Sequence, residues 1–486
     1  MVEPSHDRIE TAAAMPALRA TAIVGLGSVA TLAMSVLTMK AYALLVGPAG
    51  VGLLALMQSI VNLGVVITGL GVATSAIGAL AAAIGRGDRN RAGVIERAAT
   101  AIGCASGLIG AVLLIAGRGL LSDLALGDPS RTVDIALLAP ALLFATAASI
   151  QLALLTGQHR IRAVTVVNVG TSVAAAGFGI PLVVLIGEDG LAPAVLVTSV
   201  VQLTLSLAAR RRHPTGTPPS TARVLEMSRT LLRRGLPVAG SQLGSQAAAF
   251  LIPLIVLQAL SPAEVGLYRA AAALSIGYLA FFVAGLTQDY LPKLSAARND
   301  VELGLLIERR MRLVMGMGVP VIFGLLATGP WLVEWLYSSE FIAAFEVLQW
   351  QLVGDLLRLP AWVLLFVLLA RHSGRIFLSV ELLAGAALIV ATSVGLAVLG
   401  LEGAGVGYLV SQAIYFGVLW LVVRRRVPTT PGRLQAVLIA LAALCALVLL
   451  VELDPLTRLL VFGATAGGLA VVAWPRLYRL HRGGEL

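Results

Sequence analysis

Fourteen apolar runs, most about 20 residues long or longer, constrain this chain more than anything else in it. They lie roughly at 17–46, 51–84, 94–117, 134–157, 161–186, 191–209, 235–260, 264–296, 310–337, 342–370, 375–399, 403–423, 433–452 and 456–475. At 1.5 Å per residue, such runs match a hydrocarbon layer about 30 Å thick. Only helices and closed barrels satisfy their backbone groups there, and barrel strands of about 9–11 residues are far shorter. An all-α polytopic membrane protein of about fourteen transmembrane helices is therefore expected. Charged residues make up 12% of the chain, against about 25% in soluble domains, which excludes a soluble core fold. Runs 51–84 and 264–296 exceed a bilayer width and should tilt, bend or project.

The net charge of +10 does not point to nucleic acid, because the basic residues sit in short loops between apolar runs. Arg86, Arg89, Arg91, Arg160, Arg162, Arg210, Arg211, Arg212, Lys293, Arg371, Arg424, Arg425 and Arg426 fall on one side. Glu188, Asp189, Glu340, Glu402 and Asp454 fall on the other. This is the positive-inside pattern, and it puts both termini in the cytoplasm. The polar segment through Pro16 lacks a cleavable-signal pattern, so the first helix is expected to be retained. Cys104 and Cys445 lie in apolar runs and suggest neither a disulfide scaffold nor a metal cage.

The chain repeats itself. Gly47-Pro48-Ala49-Gly50-Val51-Gly52 separates the first two runs, and Ser261-Pro262-Ala263-Glu264-Val265-Gly266 separates two later ones, 214 positions on. Arg19 and Arg233 keep the same offset, as do Arg210 and Arg424. Ile95-Glu96-Arg97 returns as Ile307-Glu308-Arg309, His159 as His372, and Gly190 as Gly403, at offsets of 212 or 213. The expected organisation is an N-lobe of helices 1–6 (1–212), a cytoplasmic linker with an interfacial helix at Arg223–Arg234 (213–234), and a C-lobe of helices 7–12 (235–426). Helices 13 and 14 with a cytoplasmic tail complete it (427–486). Six spans per lobe give parallel repeats related by an axis along the membrane normal.

Ionisable groups inside apolar runs cost about 2.5–3.5 kcal/mol on insertion scales and normally face protein or water. Asp355 and Arg358 share a helix face at i, i+3, either as a switchable pair with Asp355 able to take a proton, or as a static pin between helices. Lys40 lies about 10 Å inside the far end of the first run, and could line a cavity for an anion or snorkel outward. Arg269 sits about one turn inside its run, on the side where positive-inside anchoring does not account for it. Arg19, Arg233 and Arg234 mark the inner ends of the first span of each lobe, as phosphate ligands or as anchors. Glu381 could carry a proton or pair with a neighbouring arginine. Gln58 with Asn62, and Gln242 with Gln246, form i, i+4 pairs that either line a cavity or hydrogen-bond between helices. The five histidines have no metal-ligand spacing, and no Gly-rich phosphate loop or catalytic constellation appears, so no cofactor is expected.

The repeated turn, the Gly354-Asp355…Arg358 segment with Glu381, and Lys40 before the first turn resemble the Wzx-type O-antigen flippases. Their superfamily, MOP, also holds the MATE exporters and MurJ-type lipid II flippases. The similarity runs over most of 17–426, and the last two spans exceed the twelve of many such proteins. The resemblance implies two six-helix lobes around a V-shaped cavity lined by spans 1, 2, 7 and 8, plus two C-terminal helices. It implies export of undecaprenyl-pyrophosphate-linked oligosaccharide across the bacterial inner membrane by alternating access, driven by an ion gradient or potential. Arg19, Lys40, Arg233, Arg234, Arg269 and Arg358 would bind the pyrophosphate or line the cavity, and Asp355 and Glu381 would couple ions. Membrane lipids and polysaccharide polymerase machinery are the accompanying partner expectations. The alternatives are a MATE-like exporter of small cations, a MurJ-like lipid II flippase, and a membrane glycosyl-transferring enzyme. A drug-cation site needs acids and aromatics, yet aromatics are only 5%. The enzyme needs a substantial hydrophilic loop, and the longest here spans roughly 210–234.

Overall fold

A computed structural model describes residues 6–211, 220–371 and 374–425, together with residues 457, 460, 462 and 463; side chains are described from residue 26 onward. The expected span at 433–452, all but four residues of that at 456–475, and the start of the linker lie outside the described residues. Every regular element among the described residues is helical, and ten stretches are long and apolar enough to cross a membrane. One of these, Ile161–Arg210, contains a pair of the expected spans, and another, Leu26–Gly69, takes in most of the first expected span and the first half of the second. The all-α polytopic expectation holds.

The chain divides into two compact units, Met1–Phe250 and Leu251–Leu486. The first contains α1 (His6–Gly69), α2 (Val72–Gly85), α3 (Arg89–Ala116), α4 (Arg118–Leu126), α5 (Thr132–Gly157), α6 (Ile161–Ala174), α7 (Ile180–Ile186) and α8 (Leu191–Arg211). A π-helical turn, Ala175–Gly179, joins α6 to α7. The first unit ends inside α9 (Thr221–Ala259). The second unit continues with α10 (Pro262–Gly285), α11 (Leu291–Ala296), α12 (Asp300–Leu336), α13 (Ala344–Ala370), α14 (Gly374–Leu399) and α15 (Leu401–Arg424).

The two copies of the repeated turn are built differently. In the first, Gly47 breaks α1 with φ 62° and ψ −168°, a conformation closed to residues with a Cβ, and Pro48 starts the next helical stretch. In the second, Ser261 is an extended N-cap whose hydroxyl accepts from the Ala263 N–H at 3.2 Å and also meets Glu264, and Pro262 opens α10.

Both over-long runs are interrupted. Leu70 and Gly71 take positive φ (49° and 65°) and separate α1 from α2. The π-helical turn Leu286–Tyr290 separates α10 from α11. The first break is fixed by packing within the first unit. A Cβ on Gly71 would lie 2.1 Å from the Gly235 carbonyl oxygen, so the two backbones touch. Ser75 Oγ donates to the Leu231 carbonyl at 3.1 Å beside this contact. Val72, Ala76, Leu80 and Ala83 form one apolar face of α2, buried with Ile95, Ala98, Ile150, Leu154 and Leu231. The basic stretch Arg223–Arg234, expected as a separate interfacial helix, instead runs unbroken into the following apolar segment as α9. Its Leu231 is a core residue, while Arg233 and Arg234 are exposed.

Candidate functional site

Helix α13 is buried along nearly all its length, and the Gly354-Asp355 pair sits near its middle. Asp355 has no exposed surface. Ser275 Oγ and Tyr278 OH, both from α10, donate to its Oδ2 at 2.8 and 2.7 Å. Tyr408 OH, from α15, donates to Oδ1 at 2.6 Å. The neighbouring glycine makes this possible: a Cβ on Gly354 would meet the Tyr408 ring at 2.8 Å. Glycine therefore lets the ring lie against α13 so that its hydroxyl reaches the acid.

Arg358 joins this cluster through the tyrosine. Its Nη1 donates to Tyr408 OH at 2.7 Å, and its guanidinium stacks 4.7 Å from the Trp362 ring centroid. The i, i+3 spacing does bring acid and base onto one face, but a phenol stands between them. The proton inventory closes: Tyr408 receives from Arg358 and passes its own hydrogen to Asp355. Protonating Asp355 would turn one acceptor oxygen into a donor, and one of the three hydroxyls would lose its acceptor. Glu381 on α14 is held separately, accepting from Tyr415 OH on α15 at 2.7 Å. A third acid–aromatic link, from Trp350 Nε1 to Glu402 Oε1 at 2.6 Å, lies along the same pair of helices, α13 and α15.

The first unit has its own buried ion pair. Glu96 on α3 is 4% exposed and accepts from Arg210 Nη2 of α8 at 3.1 Å and from Gln158 Nε2 at 2.6 Å. Arg210 Nη1 also donates to Gln151 Oε1 at 3.0 Å and to Thr100 Oγ1 at 3.2 Å, so three helices meet on one guanidinium. Elsewhere in the unit, Arg131 reaches Glu188 at 2.6 Å and Asp134 at 3.3 Å, tying the start of α5 to the turn before α8.

The other residues singled out from sequence are dispersed. Lys40 is half-buried on α1, and Arg269 is half-buried on α10. Gln58, Asn62 and Gln242 are exposed, and Gln246 is half-buried. Arg19 belongs to α1, with its side chain outside the described residues. Reasoning from sequence missed Ser275, Tyr278, Tyr408 and Tyr415, which hold the two acids. It treated Glu96 only as a marker of the repeat, and Arg210 as a repeat marker and a loop charge. The sole available signal was that these polar residues interrupt apolar runs.

Residues 41–346, more than half of the chain, match the polysaccharide biosynthesis protein family. The chain belongs to that family. Among curated relatives, the lipid III flippase of Escherichia coli (strain K12) is 26% identical over 166 residues. That alignment covers 34% of this chain and 40% of the flippase, so the chain matches well under two thirds of that relative's length. Among solved structures, the lipid II flippase MurJ in an inward closed conformation superposes with a TM-score of 0.69 at 11% identity, over 95% of this chain and 99% of that one. An inward-facing multidrug resistance MATE family transporter of the MOP superfamily superposes with a TM-score of 0.68 at 18% identity, over 83% and 94%. The chain thus shares its fold with these two structures, as the sequence resemblance led one to expect. Within this polysaccharide biosynthesis protein, Arg269, Ser275 and Tyr278 fall inside the matched segment. Lys40 stands immediately before it, and Asp355, Arg358, Glu381 and Tyr408 lie beyond it.

Proposed function

We propose that this chain is a flippase that moves a prenyl-pyrophosphate-linked oligosaccharide, an O-antigen or related repeat unit, from the inner to the outer leaflet of a bacterial inner membrane. The observation that carries the reading is the family match over residues 41–346, on a fold shared with a lipid II flippase. The charges suit such a cargo. A pyrophosphate needs cations, and Lys40 and Arg269 are half-buried within apolar stretches of α1 and α10. Arg19, Arg233, Arg234 and Arg358 complete the proposed cationic set, with Gln58, Asn62, Gln242 and Gln246 as its neutral polar companions. Both termini are cytoplasmic in this reading. Transport proceeds by alternating access, and Asp355 and Glu381 couple it to an ion gradient or membrane potential.

The test is reconstitution into vesicles with a defined prenyl-pyrophosphate sugar, scoring access of the headgroup to a lectin outside. Lectin access above that of protein-free vesicles is expected; its absence refutes the reading. Normal transport by both Lys40→Ala and Arg269→Ala would remove the cationic part alone. The likeness to a multidrug MATE transporter favours a second reading, an ion-coupled exporter of small molecules. Proton-driven efflux of a cationic dye from the same vesicles would put that reading first.

A further inference from the structure

The first unit contains a cavity of about 460 Å³ lined by Gly27, Ser28, Thr31, Leu32 and Ser35 of α1, Thr165, Asn168, Thr171 and Ser172 of α6, and Gln202 of α8. Eight of these ten residues carry a hydroxyl or amide side chain, and none of the ten is ionisable. The polar groups follow helical register. Ser28, Thr31 and Ser35 fall at i, i+3, i+7 on α1, and Thr165, Asn168 and Ser172 repeat that spacing on α6. Two polar stripes therefore line one opening. Its floor is a close helix contact, since a Cβ on Gly27 would lie 2.1 Å from Thr165 Cγ2. Hydroxyls and amides of this density are costly against lipid, so the stripes face a wet interior.

We propose that this cavity binds the neutral, polyhydroxylated portion of the cargo, an uncharged sugar unit; the identity of that cargo rests on the flippase reading above. Three observations select this chemistry. First, Thr31, Thr165, Thr171 and Ser172 donate their hydrogens to carbonyls one turn back in their own helices, at 2.8–3.1 Å. Their oxygens are left as acceptors, while Asn168 and Gln202 offer both donors and acceptors. A sugar hydroxyl, which donates and accepts at once, complements that mixture. Second, among the described residues the lining has no cation for a phosphate or uronate and no acid for an organic cation. Third, the volume falls in the range of about 300–1,000 Å³ typical of small-molecule sites. Asn168 and Gln202 lie about 10–14 Å from the arginine-bearing ends of α6 and α8, at 1.5 Å per residue.

The experiment places one reporter thiol, Ser35→Cys, in a full-length chain whose Cys104 and Cys445 are changed to serine. Its labelling by a soluble maleimide is followed in nanodiscs with three probes: a neutral N-acetylglucosamine disaccharide, glucuronic acid and inorganic pyrophosphate. The disaccharide should protect the thiol, and the two anions should not. Asn168→Ala or Gln202→Ala should raise the half-protecting disaccharide concentration about five- to tenfold, the effect of one lost hydrogen bond. Saturation-transfer NMR on the unsubstituted protein, watching the disaccharide ring protons, gives the same answer without any variant. Protection by pyrophosphate equal to that by the disaccharide overturns the proposal, as does no protection and no saturation transfer by the disaccharide. The vesicle assay keeps the two readings separable. Disaccharide binding without lectin-detected transport keeps the cavity and removes the flippase; transport without binding does the reverse.

Discussion

Asp355→Ala should be among the most damaging substitutions in the second unit, and the structure sets the scale. The change removes the shared acceptor of Ser275, Tyr278 and Tyr408 at once and leaves the Arg358 guanidinium without its counter-charge. Hydrogen bonds between membrane helices are worth about 0.6 kcal/mol on average and up to about 1.7, so three of them amount to roughly 2–5 kcal/mol. Removing one partner of a buried ion pair costs about 3–5 kcal/mol. These are overlapping descriptions of one cluster, so we expect about 3–5 kcal/mol in total. Steric-trap unfolding in bicelles measures it. Asp355→Asn should cost less, about 1–2 kcal/mol, because the amide oxygen still accepts from Tyr408 and the other hydroxyls can turn to accept from the amide nitrogen. Tyr408→Phe combined with Asp355→Ala should be less than additive, since the phenol's main acceptor is already gone. A cost below about 1 kcal/mol for the alanine variant would refute the idea that Asp355 organises these helices. The asparagine variant then separates structure from coupling. If Asp355 carries ions, it should lose gradient dependence of transport while staying folded; unchanged gradient dependence leaves Asp355 a purely structural hub.

Gly71→Ala should destabilise by at least about 2 kcal/mol, because its φ of 65° and its 2.1 Å approach to the Gly235 carbonyl act together, whereas Gly78→Ala, with open space around it, should be neutral or slightly stabilising in the same unfolding assay. Glu96→Leu should cost about 3–5 kcal/mol by stranding Arg210, and adding Arg210→Met should recover part but not all of it, since Gln151, Gln158 and Thr100 also lose partners. Tyr415→Phe should leave Glu381 without its phenol donor and, if Glu381 couples ions, shift the pH dependence of transport while costing only about 1 kcal/mol of stability.

Hydropathy exposed the spans because run length is a property of the bilayer and owes nothing to the partner helices. The span expected at 342–370 is α13, Ala344–Ala370, and that expected at 375–399 is α14, Gly374–Leu399. Apolar length says where a chain can enter a membrane, however, and nothing about where a helix breaks inside it. The Leu70–Gly71 break depends on Gly235, over 160 residues away, and Gly69, Gly64 and Gly78 look no different from it in the sequence. The continuous α9 was hidden for the converse reason: a basic stretch beside an apolar one reads as two elements, although Leu231 anchors both as one. At the candidate site, the acids were legible because a charge in an apolar run is conspicuous. Their tyrosine partners were not, since a tyrosine in a membrane helix is unremarkable until its hydroxyl is seen to reach a carboxylate.

The internal repeat sharpens what differs between the halves. Asn168 and Gln202, which line the neutral cavity, correspond 213 positions later to Glu381 and Tyr415, which are hydrogen-bonded to each other. The same two register positions on equivalent helices thus hold an uncharged amide pair in one unit and an acid with its phenol donor in the other. The reverse substitution occurs near the helix ends. Glu96 and Arg210 form a buried pair in the first unit, whereas their counterparts Glu308 and Arg424 part company, Glu308 bridging to Arg312 along its own helix and Arg424 stacking on Trp420. Duplication alone would preserve charge at matching positions. Here the matching mid-helix positions are neutral in one unit and charged in the other, and the unit with the neutral pair has its buried ion pair nearer the helix ends. Such a division is what a carrier needs if one unit must hold an uncharged polar cargo and the other must hold the groups that respond to ions, because a titrating acid beside a sugar site would make cargo affinity and coupling inseparable.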